Sequence, residues 1–141
     1  RDLTKKLELD EHVCFVGSVG HDDLPPFYAS SDLFVGPSII APNGDTEGLP
    51  TTYKEAMASL TPVIASNLKG NADLITHSEN GYMIDPYDTD AFAKLIIDSL
   101  LDKEKLSVLA EKGLSTVRDD FSLLASTKKH TALLDSLMCN A

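Results

Sequence analysis

The sequence predicts an α/β fold built on a parallel β-sheet, because short apolar runs alternate along the chain with longer segments of helical periodicity. Length and composition support a single domain: the chain has 141 residues, of which 43% are hydrophobic. No apolar run approaches the roughly 20 residues that a membrane span requires. We therefore expect one globular domain over residues 1–141 without a membrane-spanning segment.

The elements follow in order from these patterns. Strands are predicted near His12–Val16, Leu33–Gly36, Pro62–Ala65 and Tyr82–Ile84. Helices are predicted at residues 4–9, 24–30, 51–60, 72–76, 89–101, 103–117 and 123–138. Ligands of open parallel sheets bind beyond the carboxyl ends of the strands. The loops after the first three strands are therefore the expected location of a binding site.

The net charge of the chain limits its possible partners, and the spacing of its cysteines indicates the compartment. The net charge is −10, which argues against nucleic acid or an anionic membrane surface as a direct partner, since phosphate binding needs a basic patch. Cys14 and Cys139 lie far apart and form no ligand pattern, so we expect free thiols in a reducing compartment. The predicted location is the cytoplasm, with peripheral attachment to a membrane left open for the full-length protein.

The most informative segment begins at Glu47 and continues through Glu55, eight positions later. Gly48 allows close backbone approach to a ligand, and Pro50 suits the first turn of a helix. A helix that starts there offers unpaired N–H groups and a positive dipole end, which together favour an anion. An apolar stripe is predicted on this helix at Tyr53, Ala56, Met57 and Leu60, and Glu55 lies off that stripe.

Two patterns that could suggest a metal site have simpler interpretations. Asp88-Thr89-Asp90 directly precedes a helical pattern, where aspartate is a preferred N-cap. The four histidines show neither i, i+4 pairing nor a neighbouring cysteine. We therefore expect no metal and no cofactor.

Several spaced motifs resemble those of the retaining group 1 glycosyltransferases of the GT-B fold, over almost the whole chain. The motifs are Phe15-Val16-Gly17, residues 24–28, residues 29–38, Glu47-Gly48-Leu49-Pro50 with residues 55–58, residues 62–66 and Asn80-Gly81-Tyr82. The resemblance implies a Rossmann-like C-terminal domain that binds the donor. It also implies that residues 1–141 form a single truncated nucleotide-sugar-binding domain, which lacks its first strand-helix-strand unit and the N-terminal acceptor domain.

The same resemblance implies roles for individual residues. Glu47 would be catalytic, contacting hydroxyls of the transferred sugar and supporting positive charge at the anomeric carbon, while Glu55 would accept hydrogen bonds from the ribose. The sugar and diphosphate would lie against Gly48, Leu49, Pro50 and Thr51, and the base against the backbone of Val16, Gly17, Ser18 and Val19. Leu60 departs from the family pattern, which has glycine there, and we expect packing to be the reason.

These inferences predict the donor-binding part of a retaining glycosyltransferase. The enzyme would use a UDP- or GDP-linked sugar in glycan or polysaccharide biosynthesis, and this part alone would be inactive. One alternative is a degenerate module that binds a nucleotide without chemistry, and another is a different GT-B enzyme, such as a sugar-nucleotide epimerase. The expected partners are the donor and the missing N-terminal domain, and self-association of the incomplete fold is expected.

Overall fold

A three-stranded parallel sheet lies at the centre of the protein, in a computed structural model that describes residues 1–138. Its strands are β1 (Phe34–Gly36), β2 (Val63–Ser66) and β3 (Tyr82–Ile84), in the order β1-β2-β3. All four residues of β2 are buried. A central parallel strand is covered on both faces, which explains why β2 has a continuous apolar run rather than an alternating pattern.

The described part of the chain also contains six α-helices. They are α1 (Asp2–Lys6), α2 (Leu24–Ala29), α3 (Thr51–Ala58), α4 (Thr89–Leu101), α5 (Lys103–Thr116) and α6 (Leu123–Met138). Short 3-10 turns cover His21–Asp23 and Lys69–Asp73, and a π-helical turn at Val117–Phe121 connects α5 to α6. None of the helices in residues 1–138 is long and apolar enough to cross a membrane.

The core divides into two clusters, one on each face of the sheet, because successive strand residues point to opposite faces. Val63 and Ala65 of β2 pack with Tyr53 and Met57 of α3. Between them in sequence, Ile64 belongs to the other cluster, which contains Tyr82, Phe92 of α4 and Leu109 of α5. The sheet is therefore sandwiched between helices, as expected for the predicted fold class.

The predicted capping role of Asp88 is confirmed. Its Oδ1 accepts a 3.0 Å hydrogen bond from the N–H of Ala91 at the start of α4. Asp102 caps α5 in the same way, accepting from the N–H of Lys105 at 3.0 Å. Both aspartates satisfy N–H groups that a helix start leaves unpaired.

Two predicted elements are wrong. Residues 12–16 form no strand; the backbone hydrogen bonds at this segment run from His12 and Val13 back to the carbonyl of Leu9. An extended run needs a neighbouring strand for its ladder bonds, and no strand in residues 1–138 pairs with it. The predicted helix at 72–76 is replaced by the 3-10 turn at Lys69–Asp73. Cys14 is an exposed free thiol, and Cys139 lies outside the described residues.

Leu60 is exposed rather than buried, so packing does not explain why it replaces a glycine. Its side chain is 52% exposed and its φ is 60°, in the left-handed region. The N–H groups of Leu60 and Thr61 bond the carbonyls of Met57 and Ala56, which is the Schellman arrangement at a helix C-terminus. This position favours glycine because a side chain is strained there.

Candidate functional site

Glu47 lies in the loop that connects β1 to α3, and its side chain is held by a residue from the beginning of that loop. Ser38, two residues after β1, donates a hydrogen bond of 2.9 Å to Glu47 Oε2. The loop contains a turn, in which Asp45 N–H donates to Asn43 Oδ1 at 3.0 Å and Gly44 has a φ of 83°. Glu47 is exposed, so its carboxylate is accessible to a ligand.

The base of this loop is fixed at the carboxyl ends of β1 and β2. The carbonyl of Gly36 accepts hydrogen bonds from the Tyr53 hydroxyl at 2.9 Å and from Ser66 Oγ at 3.3 Å. Asn71, which is buried, donates from its side-chain amide to the carbonyl of Ser66 at 2.8 Å. A side chain at position 36 would overlap the Tyr53 ring, so the contact requires glycine.

Burial raises the pKa of the Tyr53 phenol, and the negative charge of Glu47 acts in the same direction. The neighbouring polar side chains of Ser38 and Asn71 act against this rise in the pKa of Tyr53. Tyr53 belongs to the core, and it also lies close enough to Glu47 for the charge of that carboxylate to raise the pKa of the Tyr53 phenol.

The start of α3 provides an uncapped helix N-terminus beside Glu47. Pro50 is the N-cap residue, and no side chain in residues 1–138 accepts a hydrogen bond from the first turn. Such N–H groups and the positive end of the helix dipole favour an anion. Leu49 packs against the core, whereas Gly48 and Thr51 are exposed. The backbone at this helix start is therefore anchored to the core through Leu49, while Gly48 and Thr51 remain accessible to a ligand.

Gly70 brings a second loop against this segment. A side chain at position 70 would overlap the carbonyl of Gly48. The backbone of the turn at Lys69–Asp73 therefore lies directly against the backbone of Gly48. Glycine is required for such an approach because it has no Cβ. The loops after β1 and β2 thus meet at the predicted site, as the strand-end rule leads us to expect.

Glu55 faces a separate cavity of about 200 Å³ between α2 and α3. Its Oε2 accepts a hydrogen bond of 3.0 Å from the hydroxyl of Tyr28, and its Oε1 lies 4.0 Å from His21 Nδ1. The side chain is 29% exposed. The cavity is lined by His21, Leu24, Pro25, Tyr28, Glu55, Ala58 and Ser59. Glu55 therefore projects from α3 away from the core stripe, as the helical periodicity predicts.

Burial is the main cause of a raised pKa at the Tyr28 phenol, and its hydrogen bond to Glu55 and the charge of that carboxylate raise the pKa further. Tyr28 is therefore a neutral hydrogen-bond donor at ordinary pH. A neutral donor beside a carboxylate is the favourable arrangement, because two negative charges would repel each other at this distance.

Residues 16–19, which are predicted to contact the base of the donor, precede the turn at His21–Asp23. Val16, Gly17 and Ser18 are exposed, Val19 is half-buried, and the segment has no regular structure. Gly17 has a φ of 84°, a backbone conformation that glycine adopts more easily than any other residue. None of the four lines the cavity beside Glu55. Their predicted contact with the base of the donor stays a prediction.

The family description "glycosyl transferases group 1" matches the sequence at residues 1–116, which is most of the chain. The chain belongs to this family. The fold of this glycosyltransferase domain is also that of GT-B C-terminal domains. The expected family and fold class are therefore confirmed.

Among curated relatives, the domain is similar to the "GDP-mannose-dependent alpha-(1-6)-phosphatidylinositol monomannoside mannosyltransferase" of Mycobacterium tuberculosis. The two sequences are 32% identical over 114 residues, and the matched region covers 80% of this chain and 30% of that protein. Among solved structures, sucrose-phosphate synthase from Thermosynechococcus elongatus superposes with a TM-score of 0.83 and 28% identity, over 99% of the chain and 34% of the other.

A third similar protein is HepE of Anabaena, solved in complex with UDP-glucose. It superposes with a TM-score of 0.81 at 24% identity, over 96% of this chain and 35% of the other, which shows a shared fold. The glycosyltransferase domain described here thus spans about a third of the length of these proteins.

Two residues of the site were not predicted from the sequence. Ser38 and Tyr28 contact the two glutamates, but they are 9 and 27 positions away from them. Both lie within the family-like motifs at residues 24–28 and 29–38, which are the signal that pointed to this part of the chain. The described residues of this glycosyltransferase domain contain no group of three or more His, Cys, Asp or Glu side chains arranged to hold a metal ion. That the enzyme needs no metal stays a prediction.

Proposed function

We propose that this chain is the donor-binding domain of a longer, retaining glycosyltransferase. The enzyme transfers a sugar from a UDP- or GDP-linked donor to an acceptor in glycan or polysaccharide biosynthesis. The observation that carries the proposal is the placement of Glu47 and Glu55 around the N-terminal half of α3. Glu47 is accessible beside a helix start without a side-chain cap, and Glu55 lines a cavity on the same helix.

This arrangement supports a division of roles between the two carboxylates. Glu47 contacts hydroxyls of the transferred sugar and stabilises positive charge at its anomeric carbon. The N–H groups of Leu49 and Thr51 donate to the diphosphate, whereas Pro50 has no N–H to offer. Glu55 accepts hydrogen bonds from the ribose. Electrostatic stabilisation of the leaving diphosphate, without a covalent nucleophile, is consistent with front-face displacement and retention.

The donor base is left open between uridine and guanosine. The relative from M. tuberculosis is named for its dependence on GDP-mannose, and HepE of Anabaena is solved with UDP-glucose. The residues proposed to contact the base, 16–19, act through their backbone, so their side chains do not discriminate between the two. No metal ion and no cofactor take part in the proposed reaction.

The rest of the enzyme supplies the acceptor site and basic groups that neutralise the donor diphosphate. Because these groups lie outside this chain in our proposal, the chain alone is inactive and binds donor weakly. We place the enzyme in the cytoplasm, with peripheral attachment to a membrane as an option for the full-length protein.

The test is steady-state kinetics of the full-length enzyme carrying Glu47→Gln or Glu55→Gln. We expect Glu47→Gln to lower kcat about a hundredfold, because it removes an electrostatic contribution to the transition state. We expect Glu55→Gln to raise the KM for donor about tenfold with a smaller change in kcat. Glu104→Gln is the matched control, because Glu104 is exposed in the first turn of α5. Wild-type kcat and donor KM in both test variants would contradict the proposal.

A further inference from the structure

The two carboxylate oxygens of Glu55 have different environments. Oε2 is held by the Tyr28 hydroxyl at 3.0 Å. Oε1 lies 4.0 Å from His21 Nδ1, beyond hydrogen-bond distance, and the carboxylate lines the cavity between α2 and α3. One oxygen is thus fixed by the protein, while the other remains able to accept a hydrogen bond from a ligand.

Tyr28 is itself held from several sides. It is 7% exposed, and its ring packs edge-on against Phe34 at 5.7 Å between centroids. Its backbone carbonyl accepts a 2.7 Å hydrogen bond from Thr61 Oγ1, and Thr61 is 1% exposed. Phe34 is the first residue of β1. Tyr28 is therefore held by β1 and by the segment after α3. Its hydroxyl has a fixed position from which it can orient the side chain of Glu55.

We propose that Tyr28 is the positioning residue of Glu55: its hydroxyl holds Oε2 so that Oε1 faces the cavity and accepts from the nucleotide part of the donor. This inference rests on the proposed function, in which Glu55 binds the nucleotide. A glutamate on a helix surface otherwise samples several rotamers and loses that freedom when it binds a ligand. The hydrogen bond from Tyr28 removes part of this loss before the donor arrives.

The inference assigns the effect to one oxygen atom of Tyr28. Phenylalanine at position 28 would keep the ring against Phe34 and the backbone bond to Thr61, and it would remove only the hydroxyl. Tyr28→Phe is therefore a selective change. Tyr82→Phe is a matched control, because Tyr82 is 6% exposed and packs against His77 and Lys105, outside the cavity of Glu55.

The experiment is a double-mutant cycle in the full-length enzyme, with Tyr28→Phe, Glu55→Gln and the combined variant. We expect Tyr28→Phe to raise the donor KM about tenfold, with kcat within about twofold of wild type, as for loss of a hydrogen bond to a charged group. The combined variant should match Glu55→Gln alone, since Tyr28 acts through Glu55. Tyr82→Phe should leave both constants unchanged.

The outcomes separate the inference from the proposed function. An unchanged KM in Tyr28→Phe, or additive losses in the combined variant, would overturn the positioning role. An unchanged KM in Glu55→Gln would overturn the role of Glu55 itself, and with it the inference. If Tyr28→Phe fails to fold, ultraviolet titration of the tyrosines decides: Glu55→Gln should lower the pKa of Tyr28, and an unchanged titration would contradict the contact.

Discussion

The hydroxyl of Ser38 donates a hydrogen bond of 2.9 Å to Glu47 Oε2. The loop between β1 and α3 is thereby closed on itself, and the carboxylate is linked to the end of the sheet. Gly36, two residues before Ser38, receives the Tyr53 hydroxyl bond that ties β1 to α3. The orientation of Glu47 therefore depends on the same strand end that anchors the helix start.

We predict that Ser38→Ala lowers the kcat of the full-length enzyme about tenfold, because Glu47 loses the donor that orients it. Ser38→Thr keeps the hydroxyl and should restore most of the activity. Ser31→Ala is the control, since the hydroxyl of Ser31 donates to the carbonyl of Phe27 on α2 and has no described contact with Glu47. Equal kcat in Ser38→Ala and wild type would contradict the role of this hydrogen bond.

We predict that Leu60→Gly stabilises the chain by about 1 kcal/mol, because glycine accepts a φ of 60° without strain. Little packing is lost, since Leu60 is 52% exposed. Thermal unfolding should show a midpoint about 3 °C higher. Leu60→Ala keeps a Cβ and should bring no such gain, so stabilisation by alanine and not by glycine would refute the explanation.

Parts of the fold were predictable because they depend on local pattern. The apolar run of β2 and the capping aspartate at position 88 are visible in sequence and are found in the structure. The segment at residues 12–16 has a strand-like composition, but strand formation depends on a neighbour that composition does not reveal. The left-handed φ of Leu60 is a backbone property, and leucine gives no sign of it.

The candidate site was predictable in part for the same reason. The positions of Glu47 and Glu55 around a helix start follow from spacing along the chain, and the structure places both there. Their partners Ser38 and Tyr28 come from separate elements, so only the assembled fold brings them together. The close approach of Gly70 to Gly48 likewise depends on two loops that meet in space.

We predict a loss of stability at alkaline pH that depends on two tyrosines. The folded-state pKa values of Tyr28 and Tyr53 are raised above 10.0, chiefly by burial, so folding favours the neutral phenols. Their contribution is complete below pH 10 and is lost as pH rises through the raised pKa values. Urea unfolding between pH 9 and 12 should show this loss, and a variant with phenylalanine at both positions should show less of it. Equal pH dependence of the two proteins would contradict the prediction.

We predict that the isolated chain self-associates at high concentration. In the described residues, β1 pairs only with β2 and leaves one sheet edge unpaired. Helix α6 buries none of its residues and exposes Leu133, Leu134, Leu137 and Met138. Light scattering over a concentration series should show growing mass, and Leu134→Glu should reduce it. A highly stable monomer whose mass does not change with concentration would contradict this expectation.

The central claim is that the start of α3 and the two glutamates around it form the donor site. The most direct measurement is a nuclear magnetic resonance titration of the labelled chain with UDP-glucose and GDP-mannose. We predict weak binding, in the high micromolar to millimolar range, with shifts at the amides of Gly48, Leu49, Thr51 and Glu55. Shifts confined to other surfaces, such as the cavity lined by Asn80, Lys112 and Phe121, would contradict the claim.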